Sequence, residues 1–132
     1  MVREFRQVST RFARFCLVGL LGVVVNSVVL YIAHGVVGLP LLMASALAVE
    51  VAILHNFLWN ERWTFGERNL SLVRLGKFNA TSLGGLLITL GALHLLVTYG
   101  RVHYLLANLV GIALASAWNF GVSVLWTWRW AP

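Results

Sequence analysis

The feature that most constrains this chain is where its charges are missing. No Asp, Glu, Lys or Arg occurs between Arg14 and Glu50, between Glu50 and Glu61, between Lys77 and Arg101, or between Arg101 and Arg129. A hydrocarbon core about 30 Å thick takes roughly 20 apolar residues as a helix. These windows therefore predict four spans, near 14–34, 39–60, 78–99 and 104–127. Composition agrees, with 60% hydrophobic and 11% charged residues, whereas a soluble domain is about half apolar and a quarter charged. The expected fold is an all-α membrane protein, one domain over 1–132 with four transmembrane helices.

Orientation follows from the basic residues, because short loops rich in Lys and Arg stay in the cytoplasm. Arg3, Arg6, Arg11 and Arg14 precede the first span. Arg62, Arg68, Arg74 and Lys77 lie in the 61–77 loop, and Arg129 near the C-terminus. The two opposite loops, near 35–39 and 100–103, hold only Arg101. Trp59, Trp63, Trp126, Trp128 and Trp130 fall at the basic ends, and Tyr31, Tyr99 and Tyr104 at the others, as interfacial belts do. The expected location is the cytoplasmic membrane, with multiple passes and both termini in the cytoplasm. The basic start has the outline of a signal peptide, but its apolar run is too long for an h-region and lacks a clear small-residue cleavage site. It reads as a retained first helix.

Phe5, Val8, Phe12 and Phe15 recur at helical spacing among arginines. Ser71 is placed to cap a short helix containing Leu72, Leu75 and Phe78. Both segments read either as helices in the inner headgroup layer or as anchors of the spans. The net charge of +6 flanks the spans rather than one soluble face, so anionic membrane lipid is the expected partner and nucleic acid is not.

A shift of 63 residues aligns the chain with itself without a gap. Asn56-Phe57 and Trp63-Thr64-Phe65 fall on Asn119-Phe120 and Trp126-Thr127-Trp128, and Arg14 falls on Lys77. The units are about 11–65 and 74–128. Each holds two spans, so both insert the same way, as parallel transporter repeats do. Ala44, Ala48, Ala52 and Asn56 on the second span match Ala107, Gly111, Ala115 and Asn119 on the fourth. Such rows let backbones approach closely, and they predict that spans two and four cross.

Polar groups at membrane depth are the candidate site. Glu50 lies near the middle of the second span, where an ionised carboxylate costs roughly 2.5–3.5 kcal/mol on insertion scales. It reads as a hydrogen-bond acceptor for sugar hydroxyls, as a proton carrier, as the partner of a basic group, or as an interhelical packing group. Asn26, Asn56, Asn60 and Asn119 can bind hydroxyls or phosphate oxygens, or bridge helices. Arg62 and Lys77, with Arg14, Arg74 and Arg129, ring the expected cytoplasmic mouth, and guanidinium suits phosphate. The histidines lack metal-ligand spacing, Cys16 has no base beside it and cannot form an intramolecular disulfide, and no Gly-rich phosphate loop is present. No catalytic residue, metal or cofactor is expected, and an enzyme is not.

The chain resembles the GtrA-like family over roughly 12–128. The resembling residues are Gly22 and Asn26 on the first span, Asn56-Phe57-Leu58-Trp59-Asn60 running into Arg62-Trp63-Thr64-Phe65, and the second Asn119-Phe120 block. The resemblance implies a part in cell-envelope polysaccharide or teichoic-acid glycosylation. It implies flipping of a polyprenyl-phosphate-linked sugar, such as undecaprenyl-phosphate-glucose, to the outer leaflet. Membrane glycosyltransferases would make that lipid on one side and use it on the other. One departure is Leu125, which stands where the second repeat would match Arg62. A track for such a lipid would run from Arg62 and Lys77 through Asn56, Asn60 and Asn119 to Glu50 and Asn26. Four helices make a small wall for it, so a homodimer or partner subunit would complete it. The alternatives are an accessory subunit of a membrane glycosyltransferase and a small cation or drug exporter working through Glu50.

Overall fold

The computed structural model describes residues 1–132, and its regular structure is entirely helical. Helix α1 spans Val2–Leu30 and widens into a π-helical turn, Tyr31–Val36. Helix α2 spans Leu41–Trp59 and ends in a π turn, Asn60–Thr64. Helix α3 spans Leu72–Thr98, and α4 spans Tyr104–Val122 with a closing π turn, Ser123–Thr127. All four are long and apolar enough to cross a membrane.

Two helices start earlier than hydropathy predicts. Helix α1 with its π turn has 35 residues, about 50 Å at 1.5 Å per residue, against a core of about 30 Å. The basic segment with Phe5, Val8 and Phe12 is thus the first three turns of the spanning helix itself. Helix α3 begins at Leu72, where Ser71 Oγ accepts the Arg74 N–H at 3.2 Å and satisfies one of the donors that a helix start leaves open. Arg74 and Lys77 therefore stand on the first turns of α3, and the connection shortens to residues 65–71.

All four helices end alike. The N–H groups of Leu39, Glu67, Val102 and Trp130 reach back to the carbonyls of Ala33, Glu61, Leu96 and Val124, at 2.7–3.0 Å. The preceding residues are left-handed: Gly38 (φ 86), Gly66 (φ 69), Arg101 (φ 52) and Arg129 (φ 47). Glycine takes this conformation freely, whereas a side chain costs roughly 1–2 kcal/mol there. Both arginines stand 63 positions after the glycines.

The helices fall into two compact units, residues 1–75 and 76–131. In the first hairpin, α1 packs along α2, and Phe15, Val18, Ala44, Ala48, Ala52, Ile53 and Phe57 are buried. Gly22 lies so close to Asn56 that a Cβ there would run into the amide. In the second hairpin, Gly85 bears the same relation to Asn119. A Cβ on Gly111 would stand 3.0 Å from the Thr89 carbonyl oxygen, and Thr89 Oγ1 donates to the Gly111 carbonyl at 3.4 Å. At Gly111 the small-residue row of α4 thus makes a close approach to α3 within its own hairpin. Lipid tails give apolar side chains no reason to hide, so backbone proximity holds such hairpins together. The large residues Leu20, Leu42, Leu87 and Leu109 accordingly point outward.

Candidate site at the basic helix ends

The C-terminal carbonyls of α2 and its π turn carry the negative end of the helix dipole, and cations collect there. Arg11 Nη1 donates to the Thr64 carbonyl, and Arg14 Nη1 to the Trp63 carbonyl at 3.2 Å. Each guanidinium also lies over a ring, Arg11 5.8 Å from the Phe65 centroid and Arg14 5.3 Å from that of Trp63. In the second hairpin Lys77 Nζ lies 5.4 Å from the Trp126 centroid, and Phe78 meets Trp128 edge-on at 5.6 Å. The pairs Arg14–Trp63 and Lys77–Trp126 stand 63 residues apart.

Glu61, not singled out in the sequence, is the most buried charged side chain, with 0% exposure. Arg74 Nε donates to both its oxygens, at 3.0 and 3.1 Å, and Nη2 adds a third bond. Arg74 Nη2 also donates to the Asn69 carbonyl at 2.6 Å and lies 4.0 Å from Glu67. One guanidinium thus staples the 65–71 connection to the end of α2. Arg74, expected among the headgroup contacts, is bound by Glu61 instead. A Glu next to an Arg-Trp pair looks like a helix boundary in sequence, and nothing there announces a partner 13 positions on.

The remaining candidates divide. Asn60 is buried, and its Oδ1 accepts from Thr64 Oγ1 at 2.7 Å. Asn56 Oδ1 lies 3.1 Å from His55 Nδ1. Asn26 is half-buried on α1, while Arg62 and Arg129 are exposed. Glu50 is exposed as well, against the expectation of an interior carboxylate. It stands two residues from Ala48 and Ala52, about 200° round the helix, so it lies on the face turned away from the buried alanine row.

The second hairpin differs in one respect. Asn119, Ser123 and Thr127 occupy the positions 63 after Asn56, Asn60 and Thr64. Asn119 Oδ1, Ser123 Oγ and Thr127 Oγ1 are buried without a hydrogen-bond partner, each at a cost of about 1–3 kcal/mol.

Four spanning helices, and cations seated on aromatic rings at a helix end of each hairpin, define a multi-pass membrane protein. The model of the GtrA/DPMS transmembrane domain matches residues 14–128, so the chain belongs to that family. A dolichol-phosphate mannosyltransferase from Pyrococcus furiosus is 38% identical over 120 residues, which cover 89% of this chain and 34% of that protein. The chain thus spans about a third of that relative's length.

Proposed function

We propose that this protein moves a polyprenyl-phosphate-linked sugar across the cytoplasmic membrane for modification of cell-envelope glycans. The observation that carries the reading is the family match, joined to a relative whose name pairs a dolichol phosphate with a sugar. The helix ends suit that ligand. A monoester or diester phosphate needs fixed cations at the interface, and Arg14 and Lys77 are held there on rings, with Arg62 exposed beside Trp63. A prenyl chain needs an apolar flank, and the exposed faces of the helices are rich in Leu, Val and Ile, with Glu50 on α2 the exception.

In this reading the two hairpins are like-oriented repeats, and both termini lie in the cytoplasm because nine of ten basic residues fall on that side. Anionic lipid covers the remaining cations. Asn56, packed against Gly22, and Asn60, bonded to Thr64, are engaged within the first hairpin, and the sugar is left to Asn119 and its neighbours, with Asn26 at the far end. A homodimer supplies the rest of the wall.

A second reading is favoured by the relative, in which this domain forms part of a protein named as a glycosyltransferase. Here the chain steadies a membrane glycosyltransferase and moves nothing. Cells lacking the protein separate the two. If it translocates, the lipid-linked sugar is still made and accumulates on the inner leaflet while outer-face glycosylation falls. Loss of lipid-linked sugar synthesis itself would overturn translocation in favour of the accessory role.

A further inference from the structure

We propose that the basic end of α1 binds a soluble anion carrying two linked phosphates, the class that includes pyrophosphate and the nucleoside diphosphates. The site is a groove of about 570 Å³ lined by Arg3, Arg6, Gln7, Thr10, Arg11 and Arg14.

This groove is the α1–α2 seam carried on past the end of α2. Phe15 and Val18 are buried in that seam. Steps of four residues back along α1 stay on the same face of the helix. They lead from Phe15 to Arg11, Gln7 and Arg3, and from Val18 to Arg14, Thr10 and Arg6. Arg11 and Arg14 reach the Thr64 and Trp63 carbonyls, where the π turn after α2 ends. Beyond them the same face of α1 stands open. The second hairpin has no such ledge. Helix α3 starts at Leu72, and the residues 63 positions after Arg3, Arg6, Gln7 and Thr10 are Gly66, Asn69, Leu70 and Val73.

The lining selects the ligand. Guanidinium only donates, and no acidic residue lines the groove, so a cation is excluded. Glu4, the one acid in residues 1–14, is not among the lining residues. Like charges three positions apart repel, as Arg3 and Arg6 or Arg11 and Arg14 do, and an anion between them relieves that repulsion. A phosphate monoester brings about −2 and two linked phosphates about −3, against four guanidiniums suited to bidentate contacts. The volume lies in the range of small-ligand sites and exceeds what a single phosphate fills. Gln7 and Thr10 add donors for the remaining oxygens. No aromatic ring lines the groove, so the phosphates are held and an attached base is not read. Depth points to a soluble source. Arg3 stands eleven residues before Arg14, about 16 Å along the helix, whereas headgroups add only about 5–8 Å to the core on each side. Anionic lipid reaches the cations at the boundary, and Arg3 and Arg6 stand beyond it.

The test is titration calorimetry of the full chain in neutral detergent at physiological salt with EDTA. One site per chain is expected, with pyrophosphate at least tenfold tighter than orthophosphate, and ADP and UDP equal to each other. Replacing both Arg3 and Arg6 by Ala should weaken pyrophosphate at least tenfold; both are exposed, so folding is spared. Arg68→Ala, at an exposed cation of the 65–71 connection, should leave the affinity unchanged. No binding of pyrophosphate, or an equal loss with Arg68→Ala, would overturn the proposal, the second by revealing a diffuse positive surface. Dihexanoyl phosphatidylglycerol supplies the lipid arm and should bind no tighter than orthophosphate. Its displacing pyrophosphate, with the same dependence on Arg3 and Arg6, would assign the groove to lipid headgroups and overturn the soluble ligand. The readout involves no transport, and Arg3 and Arg6 have no part in the translocation reading, so the two fall separately.

Discussion

Breaking the Glu61–Arg74 pair should cost far more from one side than from the other. The Glu61 side chain is wholly enclosed, while the Arg74 side chain keeps 24% of its surface open. Arg74→Met takes the guanidinium from a wholly enclosed carboxylate, and removing one member of a buried pair costs about 3–5 kcal/mol. Glu61→Leu leaves a guanidinium that retains the Asn69 carbonyl and can turn outward, so its cost should be about 1–2 kcal/mol. The double variant replaces both charges by apolar groups, which is often neutral relative to the pair, and should cost no more than Glu61→Leu alone. The coupling energy is then about 3–5 kcal/mol in a double-mutant cycle, read from reversible unfolding of the full chain in micelles. Single costs that add within about 0.5 kcal/mol would show the pair behaving as an exposed one, and the stapled connection would be refuted.

Other substitutions probe the helix ends and the hairpin seams. Gly22→Ala and Gly85→Ala should each lose about 1–3 kcal/mol, because the new methyl meets the Asn56 or Asn119 amide; shortening that Asn to Ser in the same chain should restore much of the unfolding midpoint. Arg129→Gly should gain roughly 0.5–1 kcal/mol by relieving a left-handed side chain, visible as a higher melting temperature. Ser71→Ala should cost about 1 kcal/mol through the lost cap, with faster amide exchange confined to the first turn of α3.

The four spans are legible in sequence because bilayer thickness converts directly into charge-free length. Their ends are not, since hydropathy stops where arginines begin while the helix continues: Arg6 and Arg74 are helical although polar. Glu50 stood out because depth sets the cost of a charge, yet depth does not say which way a side chain faces. That direction follows from the Ala44, Ala48 and Ala52 row, which was present in the same sequence and places Glu50 opposite. Glu61 was passed over for the converse reason, as a charge at a boundary whose burial depends on a partner the 65–71 connection brings back. The Asn-to-Ser change between positions 60 and 123 is visible in the alignment of the two halves, but only the geometry reveals that one row is closed by a hydrogen bond and the other is not.

Transbilayer movement itself tests the account most directly. Vesicles holding only the purified chain, with fluorescent polyprenyl-phosphate-sugar on one leaflet and labelled phosphatidylcholine as a reference, should show faster crossing of the first lipid alone. Replacing both Arg14 and Lys77 by Ala should slow that crossing towards the rate of vesicles without protein. Crossing no faster than in protein-free vesicles, or equal acceleration of both lipids, would contradict the proposed function.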